Sequence, residues 1–397
     1  MDSTFFDQYH DRSNTGAYKW EAHKVPGPYY SPVLADEIVP MWIADTDFAT
    51  APSVVEAIAK RISHPLFGYT IPSQEYFAAI SRWHKNRYGN PDVKAQHILN
   101  HTSVLAGVGA AIEAFTLPGE NILINQTTYT GFQSTVKNLG RFLVYSPLKK
   151  DENGIYRMDF EDMEKKIISE KITMMIFCSP HNPTGRVWKK EEVESVVNLC
   201  AKHGVKLVSD EIWADFVVNP ECHHTPTRSV SDKAKEITIS MYAPSKTFNL
   251  AGLAGSYSVT YNPLLKDKMS KVVEANHSGA VSILSIAACT GRYQGGSEYV
   301  DEMLKYVRKN QELMCDFFNS CAGVSADLPQ GTYVLWVDFA GTGEDVGVIR
   351  DKLKEVGVIT TDGSGYHGKT FLRFNCACPR ANCEKAIKAM KKVFSSK

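Results

Sequence analysis

Between residues 121 and 243 the chain alternates short apolar segments with helical ones, and this alternation strongly constrains its fold. The apolar segments are typical of strands: NILINQ, FLVYSP, ITMMIFCS, VKLVSDEI and ITISMYA. Helical patterns such as KKEEVESVVNLCAKHG lie between several of them. Continuous apolar strands that alternate with helices are buried on both faces. The pattern therefore predicts an α/β fold with a mainly parallel sheet.

Three polar side chains follow these strands at the point where each strand ends: Asn182, Asp210 and Lys246. In open parallel sheets, ligands bind beyond the carboxyl ends of the strands. We therefore expect a functional site that contains these three side chains.

Lys246 lies in the hydroxyl-rich segment APSKTFNLAGLAG, directly after an apolar strand. A lysine in an apolar pocket has a lowered pKa, and its neutral amine attacks carbonyl carbons. Taken alone, a solvated loop lysine is the simpler interpretation. Asp210 and Asn182 supply partners for such chemistry, since a carboxylate keeps a pyridine nitrogen protonated and an amide donates to a ring hydroxyl. For Asn182 a turn formed by HNPTG is the simpler interpretation. Asp210 precedes Glu211, and we expect one of these carboxylates to point inward and the other to be exposed.

Two further side chains and one helix terminus are candidates, each with a simpler alternative. Thr102 and Ser103 cap a small-residue helix whose free amides can bind an anion, although capping alone explains them. Tyr129 can stack on an aromatic ring or simply pack. Arg373 lies in the apolar strand FLRFNCACPR. Buried, it requires an anion such as a carboxylate, whereas on the other face of the strand it is solvated.

Composition restricts the partners and the location of this 397-residue chain. Lys+Arg and Asp+Glu number 44 each, so no global field attracts nucleic acid or an anionic membrane. No apolar run is long enough to span a bilayer, and the N-terminus lacks a secretory leader pattern. Nine scattered cysteines are typical of reduced thiols in a cytoplasmic protein. No metal site is expected from the cluster of Cys376, Cys378 and Cys383, because no histidine lies near it in the sequence.

Near residue 282 the alternation of strands and helices gives way to a different sequence pattern, and this change predicts the domain organisation. Residues 1–47 form an N-terminal arm and part of a small domain, and residues 48–282 form the large domain. Residues 283–397 form a smaller α+β domain that contains a long amphipathic helix from about 298 to 321.

Taken together, the motifs resemble those of the fold type I pyridoxal-phosphate (PLP) enzymes of the class I/II aminotransferase superfamily, and within them the MalY/PatB-type cystathionine β-lyases. The resemblance covers nearly the whole chain and rests on MWIADTDF, FGYT, TTYTGF, CSPHNPTGRVW, SDEIWADF, APSKTFNLAGL, GTYVLWVDF and LRFNCACPR. It implies a mainly parallel seven-stranded sheet with a smaller domain, pyridoxal 5'-phosphate as cofactor, and a homodimer with shared active sites.

The resemblance also implies a role for each matching residue. Lys246 is the catalytic lysine that binds the cofactor covalently. The other cofactor-binding positions are Asp210 at the ring nitrogen, Asn182 at the ring hydroxyl, Tyr129 over the ring, Ser103, Val104 and Ser245 at the phosphate, Trp213 beside the ring, and Tyr69 reaching the phosphate of the other subunit. Arg373, with Asn182, binds the substrate carboxylate. Trp213 is a departure, because the lyases usually carry histidine there and many aminotransferases carry tyrosine.

The leading functional hypothesis is a carbon–sulfur β-lyase that cleaves cystathionine or related S-substituted cysteines to pyruvate, ammonia and a thiol. Transamination between an α-amino acid and a 2-oxo acid uses the same residues and stays open. A regulatory or binding protein that keeps the fold without the chemistry is a third hypothesis, disfavoured by the intact Lys246, Asp210 and Arg373.

Overall fold

The structure is a computed structural model that describes residues 4–33 and 37–394. Its strands are β1 (Val39–Pro40), β2 (Ile98–His101), β3 (Asn121–Gln126), β4 (Phe142–Pro147), β5 (Lys149–Lys150), β6 (Tyr156–Arg157), β7 (Met174–Cys178), β8 (Lys206–Asp210), β9 (Thr238–Tyr242), β10 (Ser256–Val259), β11 (Ser325–Ala326), β12 (Val334–Asp338), β13 (Val358–Ile359), β14 (Thr361–Asp362) and β15 (Phe371–Asn375). Its α-helices are α1 (Thr4–Asp7), α2 (Tyr18–Glu21), α3 (Pro52–Ile62), α4 (Gln74–Tyr88), α5 (Val104–Phe115), α6 (Thr130–Asn138), α7 (Phe160–Ser169), α8 (Lys190–Lys202), α9 (Asp232–Ile237), α10 (Pro263–Ala275), α11 (Ile283–Gly295), α12 (Ser297–Ser320), α13 (Val346–Glu355) and α14 (Arg380–Met390).

A seven-stranded sheet in the order β2-β10-β9-β8-β7-β3-β4 forms the centre of the fold. The neighbours from β9 to β4 pair in parallel, and β10 alone runs against both of its neighbours. The prediction of a mainly parallel seven-stranded α/β sheet is therefore confirmed. Cys178 at the end of β7 lies in register with Asp210 at the end of β8. The carboxyl ends of these strands thus meet at one edge, as expected.

The central strands are buried from end to end because helices cover both faces of the sheet. Every residue of β7 and of β9 is buried. Side chains of α5 and α10 pack on one face, around Val108 and Ile176. Side chains of α7 and α8 pack on the other, around Val197 and Leu207. Burial on both faces explains why these strands read as continuous apolar runs rather than alternating ones.

A second, antiparallel sheet in the order β11-β12-β15-β14 is built from the C-terminal part of the chain. Helices α12, α13 and α14 pack on it in a separate apolar cluster around Phe318, Leu335 and Phe374. The N-terminal arm joins this part, since β1 pairs in parallel with β13. The second sheet carries Arg373 on β15 to the cavity described below.

Helix α11 packs on α3 and α4, so the segment after residue 282 contacts the N-terminal helices of the large domain as well as the second sheet. The boundaries 1–47, 48–282 and 283–397 stay a prediction. None of the helices in residues 4–33 and 37–394 combines the length and apolarity that crossing a bilayer requires. In the same part of the chain, no three histidine, cysteine or acidic side chains are grouped to hold a metal ion.

Candidate active site

A cavity of about 620 Å³ lies at the carboxyl edge of the central sheet and is closed on one side by residues of the second sheet and the N-terminal arm. It brings together nearly all the predicted site residues: Ser103, Val104, Tyr129, Asn182, Asp210, Trp213, Ser245, Lys246 and Arg373. Tyr69 is the exception. Its side chain is fully exposed and does not line this cavity.

Lys246 lies in the turn after β9 and presents its amine to the cavity. The Nζ atom donates to the Ala44 carbonyl oxygen at 2.7 Å and lies 5.8 Å from the centre of the Trp213 ring. Burial, followed by the positive charge of Arg373, lowers the pKa of Lys246 to about 8. With this pKa, about a tenth of the amine is neutral at pH 7, whereas an ordinary lysine is almost wholly charged. The side chain is therefore suited to nucleophilic attack on a carbonyl.

Asp210 ends β8 and is 4% exposed. Its Oδ1 atom accepts a hydrogen bond from the Ile212 amide at 3.0 Å. Burial raises the pKa of Asp210 to about 7, and the Ile212 amide and the Lys246 charge oppose this increase. The Ile212 amide and the Lys246 charge offset only part of the cost of burying this carboxylate. A further cationic or N–H donor would stabilise its charged form. A protonated pyridine nitrogen is such a donor, so Asp210 fits the ring of PLP.

Glu211 is buried, and the expectation that one carboxylate of the pair is exposed was wrong. Its Oε2 atom lies 2.9 Å from Nε2 of His224 and also accepts from the Tyr242 hydroxyl. Burial opposes ionisation, but the His224 hydrogen bond and the charges of His224 and Arg228 lower the pKa of Glu211 to about 2. Successive residues thus place one carboxylate in the cavity and the other in a polar network outside its lining.

Arg373 is buried at 5% exposure, so the structure supports the first of its two predicted settings. Its Nη1 donates to Asn182 Oδ1, and its Nη2 donates to the Trp42 carbonyl oxygen, both at 3.1 Å. The Tyr366 ring lies 4.9 Å from its Cζ atom. Among the described residues, Nε has no partner and no carboxylate pairs with this guanidinium. A buried cation without an anion suits a ligand that brings a carboxylate.

The N-terminus of α5 also points into the cavity. Ser103 caps the helix, because its Oγ accepts from the Ala106 amide at 3.1 Å. The amides of the first turn have no acceptor within a helix, and the aligned peptide dipoles make this terminus positive. Val104 and Leu105 line the cavity there, together with Ser245. This end of the cavity is suited to a phosphate group.

Aromatic side chains form much of the remaining surface. Trp213 is 2% exposed and packs edge-on against Tyr333, with ring centres 4.6 Å apart. Tyr129 precedes α6 and packs edge-on against Phe132 at 5.5 Å. Both rings are held by neighbours outside the cavity. Trp213 offers an N–H donor but no titratable group, unlike the histidine or tyrosine that the resemblance leads us to expect.

Five aromatic or charged lining residues were not singled out from the sequence: Tyr29, Trp42, Arg350, Asp362 and Tyr366. They come from the N-terminal arm and the C-terminal part of the chain. Trp42 lies in MWIADTDF, one of the motifs that carry the family resemblance, but the motif alone gives no role to this residue. The others stand in ordinary polar segments, and only the packing of the chain ends brings them to the cavity.

Residues 37–390 match the family of class I and II aminotransferases. The chain belongs to this family. It is 33% identical to cystathionine β-lyase PatB of Bacillus subtilis over 394 residues, which cover 98% of this chain and 100% of that protein.

Solved structures of similar proteins agree with this assignment. A PLP-bound putative aminotransferase from Clostridium difficile is 32% identical with a TM-score of 0.90, covering 97% of this chain and 98% of the other. Cystalysin from Treponema denticola, with pyridoxal 5'-phosphate, is 30% identical with a TM-score of 0.92, covering 98% of each chain. The expected fold type I architecture and the likeness to PatB-type lyases are confirmed.

Proposed function

We propose that the protein is a PLP-dependent carbon–sulfur β-lyase that cleaves cystathionine or related S-substituted cysteines to pyruvate, ammonia and a thiol. The observation that carries the proposal is the meeting of Lys246, Asp210 and Arg373 in one cavity whose end is the N-terminus of α5. The 33% identity to a cystathionine β-lyase over the whole of both chains supports the reaction type.

The cavity has a suitable group for each part of the cofactor. The amides of Ser103 and Val104 with Ser245 would hold the phosphate, Asp210 the ring nitrogen, and Lys246 the aldehyde carbon. Asn182 would donate to the ring hydroxyl while its Oδ1 accepts from Arg373. Tyr129 and Trp213 would contact the ring. When bound, the cofactor withdraws electrons from the substrate Cα and so makes loss of the Cα proton possible.

The side chains of this protein then bind the substrate and transfer the proton. Arg373 and Asn182 hold the substrate α-carboxylate, which supplies the anion that the buried guanidinium lacks. The Lys246 amine accepts the Cα proton, a role that suits a base whose pKa is about 8. The Cβ–S bond breaks and its electron pair leaves with sulfur as a thiolate. Water hydrolyses the remaining three-carbon fragment to pyruvate and ammonia.

The first test supplies the PLP-loaded protein with L-cystathionine and follows pyruvate and free thiol together. We expect equal amounts of both, released continuously without added 2-oxo acid. Lys246→Ala should abolish release. Lys202→Ala is the matched control, because Lys202 is 65% exposed and pairs with Glu164 outside the cavity. Pyruvate and thiol release by the Lys246→Ala variant at the wild-type rate would refute the assigned role of Lys246.

Transamination is the second candidate, supported by the family match and by the putative aminotransferase of similar structure. Both reactions require Lys246 to remove the Cα proton and differ in the next step: β-elimination breaks the Cβ–S bond and expels the thiolate, whereas transamination keeps that bond and returns a proton. An aminotransferase would release no thiol, and its turnover would depend on a 2-oxo acid. The same incubation with and without a 2-oxo acid distinguishes the two.

We also infer a homodimer in which Tyr69 reaches the site of the other subunit. Tyr69 lies in a segment without helix or strand whose apolar side chains are largely exposed, among them Leu66 at 69% and Ile71 at 86%. A second copy of the chain would cover such a surface. We also propose a cytoplasmic location, because all nine cysteines are free and reduced thiols are typical of that compartment.

A further inference from the structure

The charged side chains that line the cavity fall into two groups. Asp210, Lys246 and Arg373 have been described above. The other two, Arg350 on α13 and Asp362 on β14, pair with each other, with Nη1 and Oδ2 2.8 Å apart. Their side chains are 27% and 28% exposed, which places them toward the solvent end of the cavity. The proposed reaction uses neither of them.

One tyrosine connects this pair with the carboxylate-binding arginine. Tyr29 stacks on Trp42, with ring centres 3.7 Å apart and planes inclined by 25°. The Trp42 carbonyl oxygen accepts a hydrogen bond from Arg373. Burial raises the pKa of Tyr29, and the charges of Arg373 and Arg350 both oppose this increase. Tyr29, Arg350 and Arg373 line the same cavity, and β14 with Asp362 pairs with β15 with Arg373, so an extended molecule in the cavity can contact both guanidinium groups.

The Arg350–Asp362 pair keeps unused hydrogen-bonding capacity. Arg350 donates through Nε and Nη2 to Asp351 Oδ1, at 3.1 and 3.0 Å, and through Nη1 to Asp362. A guanidinium has five N–H donors, so two remain without an acceptor among the described residues. Asp362 accepts from the Ser364 amide at 2.8 Å and from Arg350. A carboxylate has about four acceptor positions, so it can take a further donor.

These charges discriminate between substituents on the substrate sulfur. A substituent with only a carboxylate is attracted by Arg350 but repelled by Asp362, and one with only an ammonium group meets the reverse. A substituent that carries both charges pairs with both side chains. Because a partly exposed ion pair is weakly held, the two side chains can adjust to such a ligand at little cost.

We propose that Arg350 and Asp362 make the enzyme selective for S-substituted cysteines whose leaving group ends in a zwitterionic amino acid, as in L-cystathionine. Arg350 binds the distal carboxylate and Asp362 binds the distal ammonium group, while Arg373 holds the carboxylate next to the reacting carbon. This inference rests on the proposed lyase function and adds the substrate class to it.

The test is a panel of four substrates that share the scissile Cβ–S bond and differ in the distal charge. They are L-cystathionine (zwitterionic), S-(2-carboxyethyl)-L-cysteine (anionic), S-(2-aminoethyl)-L-cysteine (cationic) and S-ethyl-L-cysteine (neutral). The PLP-loaded wild type should show the highest kcat/KM with cystathionine. Arg350→Gln should lower kcat/KM for cystathionine about tenfold or more, mainly by raising KM. It should leave kcat/KM for S-ethyl-L-cysteine unchanged. Asp362→Asn keeps the acceptor for the Ser364 amide. It should lower kcat/KM for the cationic and zwitterionic substrates.

Arg308→Gln is the control, because Arg308 is 23% exposed, pairs with Glu312 and does not line the cavity. It should leave the whole panel unchanged. An equal loss with all four substrates in Arg350→Gln, or a wild type without preference for cystathionine, would overturn the inference and leave the lyase function standing. A wild type that releases no thiol from any member of the panel would instead overturn the lyase function, and the inference with it.

Discussion

At the scale of single residues, the site depends on charges that are buried with incomplete partners. Arg373 is buried without a carboxylate among the described residues, and Asp210 is buried with a raised pKa. Burying an unpaired charge costs free energy, so such groups are uncommon in a core that serves stability alone. Here both line one cavity beside Lys246, where a ligand of opposite charge at each position restores the balance.

Arg373→Ala should raise KM for α-amino acid substrates by roughly 10- to 100-fold, because the carboxylate loses a charged hydrogen-bonding partner. Initial rates over a range of substrate concentrations measure the change. Arg373→Lys keeps the charge but not the planar fork, so it should recover only part of the loss. An Arg373→Ala enzyme with unchanged KM would place the carboxylate elsewhere.

The pKa of Lys246 predicts its reactivity in the cofactor-free protein. Only the neutral amine reacts with an acylating reagent, so pulse labelling of Lys246 should increase with pH around a midpoint of about 8. Mass spectrometry of the peptide that contains Lys246 measures the labelled fraction. In Arg373→Gln the midpoint should rise, because the positive charge that helps to lower this pKa is gone. A midpoint near 10.5 in the wild type would contradict the described environment.

At the scale of elements, the N-terminus of α5 is positioned by a close approach between the helix and the sheet. A Cβ atom at Gly107 would lie 2.8 Å from Met241 Sδ on β9 and 3.0 Å from the His101 ring on β2. The His101 ring is buried and lies 3.0 Å from Ser258 Oγ, so it has little freedom to move. The absence of a side chain at position 107 therefore lets α5 lie against the strands and aim its first amides into the cavity.

Gly107→Ala should destabilise the protein by about 1–3 kcal/mol through overpacking and should weaken binding of the cofactor phosphate. Gly109→Ala is the matched control on the same helix, because its Cβ would meet Leu139 and Thr135 at ordinary distances of 3.7 Å. That variant should be more stable by up to about 1 kcal/mol, since alanine favours the helix over glycine. Urea unfolding and titration of the cofactor-free protein with PLP measure both effects. Equal behaviour of the two variants would contradict this account of α5.

Much of the element scale was predictable from local sequence. Helices α8 and α12 and the strands β3, β4 and β7 to β9 lie within a few residues of their predictions, because periodicity and apolar runs report burial directly. The burial of Glu211 was not predictable, since it depends on His224 and Tyr242 from other segments. Arg350 and Asp362 were not predictable for the same reason, because only the packing of the C-terminal part of the chain brings them to the cavity. The strand-end pattern pointed to Lys246, Asp210 and Asn182, whereas the cofactor roles of Val104, Trp213, Ser245 and Tyr69 came only from the family resemblance.

At the scale of the whole molecule, the fully exposed Tyr69 provides a test of the proposed dimer. If Tyr69 acts in the opposite site, Tyr69→Ala and Lys246→Ala should complement each other. In a mixed dimer, one site has both residues intact and the other has neither. After unfolding and refolding an equal mixture, about a quarter of wild-type sites should be active, because random pairing makes half of the dimers mixed. Activity no higher than the mean of the two separate variants would refute the shared site.

The N-terminal arm depends on the far end of the chain for its position. Thr361 donates to the Trp42 carbonyl oxygen, and Asn375 donates to the carbonyl oxygens of Ile43 and Asp45. Between these anchored residues stands Ala44, whose carbonyl oxygen accepts from Lys246.

This dependence sets an order of events on the ribosome. All strands of the central sheet have been synthesised once Val259 is made, whereas the residues that hold the arm follow up to position 375. At ordinary elongation rates the delay is on the order of ten seconds. Until those residues are made, the contacts that hold the arm beside Lys246 cannot form, so a complete cofactor pocket exists only after the C-terminal strands have been translated.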